Sequence, residues 1–304
     1  MAEDTTVGRP ACDARPAACG ASVVVTGAGS GIGRAATRFL VGAGFHVYAG
    51  VRRRASVAEL SGELPPDGCT PVLLDVRDEG SVADAAAEIA GRLGGTRLKA
   101  VCNAAGIVTN GPLADLAADT FTDVLATNLV GTHNVTRALL PLLGPGSRVV
   151  NVGSASGVRT LPFTGAYSAS KFGLEALSSA MRMEYAALGV RVSVIAPGMI
   201  DTPMASAIQD ELRKPPSLAI YEKPLGRFLD RSVRATRDGI PVGRVVRCIH
   251  RAITTKNPAP RYDLHHSFLQ DAVLMRLLPV RVRERVVRRV LGLAPLVEPG
   301  PPPT

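Results

Sequence analysis

Tyr167 and Lys171 stand four residues apart, and Ser154 precedes Tyr167 by thirteen. On a helix, positions i and i+4 share a face, so the phenol and the ammonium would meet. Such a pair can pass a proton to or from an alcohol or carbonyl oxygen. An isolated Tyr ionises near pH 10 and is a poor base at neutral pH. An ammonium at about 4 Å favours the phenolate by about 4 kcal/mol at an effective dielectric of 20. That lowers the phenol pKa by about three units, to near 7. Ser154 would hydrogen-bond the same oxygen and orient it. Taken alone, a Tyr–Lys pair is also what a solvated helix face looks like. Asn128, in Thr127-Asn128-Leu129, is a mediocre interior helix residue. On its own it reads as a kink or a capping group.

A proton is half of an alcohol–carbonyl interconversion; the other half is a hydride, and a turn near the N-terminus suits its carrier. The run Thr26-Gly27-Ala28-Gly29-Ser30-Gly31-Ile32-Gly33 follows an apolar β-branched stretch, Ser22 to Thr26, and opens a helical one. Glycines at 27, 31 and 33 permit tight turning and close backbone approach. The helix N-terminus then offers free N–H groups to a pyrophosphate. A glycine cluster alone also serves ordinary turns, but its strand–turn–helix position favours a dinucleotide. After the second strand, Gly50 stands where an acid would bind the adenine ribose. Arg52, Arg53 and Arg54 follow, offering charge to a 2′-phosphate. Ser30 could add a hydroxyl. NADP(H) is therefore expected in preference to NAD(H), with NAD(H) as the second possibility. The competing reading is three arginines decorating a helix start.

These residues need a scaffold. Apolar β-branched runs alternate with helical stretches six times. The strands fall near 21–26, 45–50, 71–74, 98–103, 148–153 and 190–195, with long helices over 120–143 and 165–188. That rhythm specifies an α/β fold with a single doubly wound parallel sheet and right-handed crossovers, the Rossmann arrangement. Residues 1–20 read as a flexible leader, 21–265 as the catalytic domain and 266–304 as a basic helical tail. Within the domain, 203–240 reads as a helical substrate lid and 261–264 as a further edge strand.

The pattern Thr-Gly-x-x-x-Gly-Ile-Gly, with Asn128, Ser154, Tyr167 and Lys171, resembles the short-chain dehydrogenase/reductase family over about residues 20–202. The resemblance implies an NAD(P)-dependent oxidoreductase interconverting an alcohol and a carbonyl. It makes Asn128, Ser154, Tyr167 and Lys171 a catalytic tetrad, Asn128 holding a water that links Lys171 to solvent. Asp75-Val76 matches the adenine contact. Asn103-Ala104-Ala105-Gly106 matches the family's Asn-Asn-Ala-Gly with one change, Asn103 being strand-stabilising and cofactor-adjacent. Pro197-Gly198 looks like the loop where Ile200 and Thr202 hold the nicotinamide carboxamide. Val-Tyr-Ala-x-x-Arg and the C-terminal extension are similar to the retinol- and hydroxysteroid-dehydrogenase branch, which implies a bulky lipophilic substrate. Phe163, Met199 and Met204 are its candidate contacts, beside Ser154 and Tyr167; Leu212, Leu218 and Ile220 are either lining or core. Two alternatives stay open: a cofactor-binding regulator without turnover, and a redox-neutral isomerase- or dehydratase-like relative. Helices 120–143 and 165–188 form dimer or tetramer interfaces in the family, so a homo-oligomer is expected.

Bulk properties narrow the remaining classes. The chain has 304 residues, 46% hydrophobic, with no Trp and 4% aromatics. Its core must be built mainly from Ala, Val and Leu, which suits buried parallel strands. Five cysteines without Cys-x-x-Cys spacing indicate reduced thiols and a cytoplasmic setting. His265-His266 lacks companion ligands, so no metal is expected. The net charge of +9 is concentrated in a late helix with Arg276, Arg281, Arg283, Arg285, Arg288 and Arg289. A basic amphipathic helix can rest on an anionic membrane; the favoured reading is a docked helix with a solvated Arg face. The run lacks interleaved aromatics, so nucleic acid is not expected.

Overall fold

The computed structural model describes residues 20–200, 209–210, 212–264 and 279–293. Seven strands form one parallel sheet: β1 (Ser22–Thr26), β2 (His46–Val51), β3 (Cys69–Leu73), β4 (Ala100–Asn103), β5 (Arg148–Val152), β6 (Arg191–Pro197) and β7 (Arg261–Leu264). Their order is β3-β2-β1-β4-β5-β6-β7. Chain direction across the sheet reverses between β1 and β4, and ligands of open α/β sheets bind outside the strands' carboxyl ends at such a point.

Side chains alternate across each strand, so one β-branched run feeds two cores. Val23 and Val25 face α1 (Gly31–Gly42) and α8 (Val242–Thr254), meeting Leu40, Ile249 and Ile253. Val24 faces the opposite layer, with Ile89 of α3 (Glu79–Leu93), Leu139 of α5 (Gly131–Leu139) and Met181 of α6 (Gly165–Glu184). α2 (Arg54–Glu63) buries Leu60 on the first side. The edge strand β7 pairs parallel to β6, Val194 opposite Arg261.

The helix expected over 120–143 is not continuous. It comprises α4 (Ala118–Leu125), a π-helical turn (Ala126–Val130), α5 and a final 3₁₀ turn (Leu140–Leu142). π-turns inside helices concentrate at functional sites, and this one contains buried Asn128. Beyond β6, the expected lid contains α7 (Glu222–Arg237). The last described helix, α9 (Val280–Leu291), begins after Pro279 and docks on α7. Val287, Leu291 and Leu293 join a small core with Leu225 and Phe228, while Arg281, Arg285, Arg288 and Arg289 are exposed.

Among the described residues no helix is long and apolar enough to cross a membrane. No group of His, Cys, Asp and Glu among them could hold a metal ion. His265, His266, Arg276, Cys12 and Cys19 lie outside the described residues. Cys69, Cys102 and Cys248 are free and buried. Burial pushes the Cys69 thiol up to about 11 and the Cys102 thiol up to about 12, which leaves both inert as nucleophiles.

Candidate active site

One cleft runs over the carboxyl edge of the sheet in two connected halves. Ile32, Ala104, Gly106 and Ile107 border both.

The first half is built on the glycine turn. Gly27 adopts φ +67°, and a Cβ there would lie 2.7 Å from Ala105 Cα. A Cβ on Gly33 would lie 2.2 Å from the Gly27 carbonyl oxygen. These two glycines let strand, helix and the 104–106 loop pack as backbone against backbone. Thr26 Oγ1 accepts from Ala104 N–H at 3.1 Å and Ala105 N–H at 3.0 Å, tying the turn to that loop. Ser30 is the N-cap of α1, yet its hydroxyl makes no capping bond. The amides at the start of α1 thus open into the cleft with the helix dipole behind them. A pyrophosphate fits that cradle on geometry alone.

Gly31, Ile32, Ser30, Arg52, Arg53, Asp75 and Val76 all line this half. Asp75 Oδ1 accepts from Arg77 N–H at 3.0 Å, and its own amide donates to Ser81 Oγ at 3.0 Å. Both contacts fix the loop after β3. Arg77 and Ser56 line the same half and were not anticipated. Gly50 is part of the β1–β2 ladder and accepts from Ala28 N–H at 3.0 Å. The residues that reach the cleft from β2 are Val51, Arg52 and Arg53.

The second half holds Ser154, Tyr167 and Lys171 with Pro197, Gly198, Met199 and Ile200. Ser154 caps a 3₁₀ turn after β5, its Oγ accepting from Ser156 N–H at 3.1 Å. Tyr167 and Lys171 sit one turn apart on α6. Lys171 is 5% exposed, and its ammonium donates to the Val152 carbonyl at 2.8 Å. Burial pushes Lys171 down to about 8. Lys171 Nζ lies 5.7 Å from the centre of the Tyr167 ring. Burial raises the Tyr167 phenol above its usual 10, and a hydrogen bond with Ser154 acts the other way. This corrects the sequence-based picture of a phenol drawn towards neutrality. Desolvation outweighs that hydrogen bond, so the phenol of the free chain keeps its proton.

Asn128, expected among the catalytic residues, is buried behind the lining of this half and acts on it through Ile107. Its Nδ2 donates to the Ile107 carbonyl at 2.8 Å and to Ser170 Oγ at 3.0 Å; its Oδ1 accepts from Ile107 N–H at 2.8 Å. The π-turn thus clamps the loop after β4 to α6. Gly106 fits beneath, where a Cβ would lie 3.2 Å from Asn128 Oδ1.

Other expected residues stand elsewhere. Asn103 does not line the cleft. Its Nδ2 donates to Thr136 Oγ1 at 3.0 Å and Asn151 Oδ1 at 2.9 Å, in a buried polar line under the sheet edge. Phe163 also lies away from the cavity. It packs edge-on against Tyr221 and Phe228, 6.0 and 5.7 Å between ring centres, at a left-handed φ of 68°. Strain of that kind persists only where packing over-determines the backbone, and here Phe163 pins the 155–164 loop to the lid. Leu212 belongs to the same small core, while Leu218 and Ile220 are exposed. Thr202 and Met204 lie outside the described residues. Arg159, Leu161, Ile107 and Val108 line the catalytic half and escaped the sequence reading. No spacing rule marks them, because the loops that carry them are shaped by contacts distant in sequence.

A Gly-rich dinucleotide cradle continuous with a Tyr–Lys–Ser pocket defines a hydride-transfer fold of the short, single-domain kind. Comparison with known proteins is consistent: the family model described as short chain dehydrogenase matches residues 21–213. The chain belongs to the short-chain dehydrogenase family, an oxidoreductase of the kind that binds NAD(P)(H). It is 34% identical over 290 residues to retinol dehydrogenase 5 of Mus musculus, covering 89% of each chain. It is 30% identical over 279 residues to 17-beta-hydroxysteroid dehydrogenase type 6 of Bos taurus, covering 88% of this chain and 87% of that one. The crystal structure of a variant actinorhodin polyketide ketoreductase with NADPH superposes with a TM-score of 0.69 at 26% identity, covering 80% of this chain and 95% of that one.

Proposed function

We propose that this chain interconverts a bulky, lipophilic ketone and its secondary alcohol with NADP(H). The observation carrying this reading is that Ser154, Tyr167 and Lys171 share one wall of a cavity continuous with the glycine cradle. When bound, the nicotinamide supplies or accepts the hydride. The chain does the rest. The α1 amides hold the pyrophosphate, and Arg52 and Arg53 meet the 2′-phosphate. Asp75 and Val76 border the adenine; Ala104, Gly106 and the 197–200 loop border the nicotinamide.

Ser154 orients the substrate oxygen, and Tyr167 holds the proton it gives to that oxygen. Desolvation raises the phenol, so it is in the acid form at neutral pH, the form that gives a proton in the reductive direction. The Lys171 ammonium stabilises the phenolate as the proton leaves. Its Val152 contact keeps it one helical turn from Tyr167. Asn128 keeps the opposite wall in place. Ile107, Val108, Leu161, Met199 and Ile200 give the substrate an apolar seat. The names of the retinol and steroid relatives agree with a lipophilic substrate.

We also propose a homo-oligomer through the outer faces of α5 and α6. Phe172 and Met183 on α6 are 43% and 72% exposed, and neighbouring Val130 is 49% exposed.

The test is nicotinamide absorbance with NADPH and with NADH over a panel of lipophilic ketones, for wild type and Tyr167→Phe. Turnover should prefer NADPH, and Tyr167→Phe should cost about 10³-fold in kcat while still binding NADPH. Equal turnover in the variant would sink the assignment of Tyr167, and a clear preference for NADH would sink that of Arg52. Substrate conversion without a net absorbance change would mark a redox-neutral enzyme instead.

A further inference from the structure

We propose that Arg261, on the edge strand β7, is a positioning residue for Ser154, acting through Glu175 beside the loop that carries that serine. The proposal rests on the reading of Ser154 as the group that orients the substrate oxygen.

Arg261 lies outside the cavity, yet its guanidinium is the hub of a mostly buried cluster. Its Nη1 pairs with Glu175 of α6. Its Nε and Nη2 both reach Asp263 Oδ1 at 2.9 Å. The three side chains are only 16%, 19% and 18% exposed. The same Nη2 donates to the Ser154 carbonyl at 3.5 Å. Glu175 stands one turn beyond Lys171, and its carboxylate lies beside the 153–157 loop. A Cβ on Gly153 would come 3.4 Å from Glu175 Oε1; one on Gly157 would come 3.3 Å from the same oxygen and 3.1 Å from Cγ. The nearer neighbours are Val194 Cγ1 for Gly153, at 2.6 Å, and the Lys171 carbonyl oxygen for Gly157, at 2.9 Å, so the loop packs on β6 and α6 with Glu175 beside it.

The charges explain why the hub is an arginine. Two carboxylates share one guanidinium, whose planar fork can bond both while an edge N–H reaches a carbonyl. Removing it takes from Glu175 the guanidinium that neutralises it in a largely desolvated place. Glu175 must then take up a proton or swing towards water, and either change disturbs the packing beside the Ser154 loop. The same strand also accepts from Gly198 N–H through the Leu264 carbonyl at 2.9 Å. β7 therefore braces the serine loop and the Pro197-Gly198 loop from one edge.

The experiment follows Tyr167, which lines the same half of the cleft as Ser154. In the full chain without cofactor, at neutral pH, the ¹³Cζ resonance of labelled Tyr167 is assigned by its loss in Tyr167→Phe. Ser154→Ala should move it, and Arg261→Met should move it in the same sense. Adding Arg261→Met to Ser154→Ala should move it no further, and Arg261→Lys should restore part of the change. With NADPH and trans-1-decalone as the probe ketone, Arg261→Met should lower kcat about 10- to 100-fold, the scale of a small misplacement. In the Ser154→Ala background its effect should be under about 2-fold, and the Kd for NADPH should be unchanged in all variants. If Arg261→Met unfolds the chain, Glu175→Gln, which keeps side-chain volume, takes its place in the same comparison. The proposal is overturned if the variant lowers the melting temperature but leaves the Tyr167 resonance where it was. It is equally overturned if its effects are the same in both backgrounds. Wild type without ketone turnover would overturn the proposed function, and the resonance comparison would still decide the role of Arg261.

Discussion

Lys171 carries its charge into a place water scarcely reaches, and that has a thermodynamic signature. Its folded pKa is pushed down to about 8, whereas an unfolded lysine holds its proton to near 10.4. Between those values the unfolded chain binds more protons, so stability rises with pH across the window. Below about pH 8 the cost of burying the charge is present in full. Urea unfolding of wild type and Lys171→Met should therefore converge or cross as pH rises. From pH 7.5 to 10, wild type should gain about 2 to 3 kcal/mol on the variant. A pH-independent difference would show that Lys171 is not the titrating group. The same titration predicts that ketone reduction declines above about pH 8, as the ammonium that stabilises the phenolate discharges. At this scale the meeting of Ser154, Tyr167 and Lys171 in one cavity was legible from type and spacing. The protonation state of Tyr167 was not, because it depends on desolvation by elements distant in sequence.

The glycine turn, at the scale of one element, is a packing device as much as a binding loop. Gly33→Ala would drive a methyl group to 2.2 Å from the Gly27 carbonyl oxygen, where only backbone could yield. It should cost about 2 to 3 kcal/mol in thermal or urea unfolding and weaken NADPH binding by more than tenfold. Gly91→Ala on α3, where a Cβ meets nothing within 4 Å, is the control. It should be neutral or stabilise by up to about 1 kcal/mol. Comparable losses in both variants would contradict the packing argument. Elements were legible wherever the hydrophobic period was clean, as in Val23-Val24-Val25. The long helix around Asn128 was legible in extent but not in its π-turn. Inserting the extra residue lets Asn128 face Ile107 and Ser170, and neither partner is near it in sequence.

For the whole molecule, the outer faces of α5 and α6 are the expected seam between copies. Phe172→Glu with Met183→Glu places charge at the two most apolar exposed positions of α6. Wild type should sediment as a dimer or tetramer and the double variant as a monomer. A monomeric wild type would remove the oligomer proposal and leave the site untouched. The C-terminal end of the described structure bears on the site by a different route. α9 packs on α7, and the core they share includes Phe163 from the loop between Ser154 and Tyr167. The lid, the serine loop and the last helix are thus mechanically joined, which a sequence reading of Phe163 as a substrate contact could not anticipate.

What the sequence determined by itself was the alternation of strands and helices, the glycine turn and the residues Ser154, Tyr167 and Lys171. These rest on local periodicity, on the conformational freedom of glycine and on side-chain chemistry, all of which are written within a few residues. Only the tertiary structure decided which side chains face the cleft. It turned Asn103 into the buried line with Thr136 and Asn151, and sent Phe163 to the lid core. It also brought Arg261 beneath Ser154 across more than a hundred residues of chain. Burial and long-range pairing set those outcomes, and neither has a signature at fixed spacing.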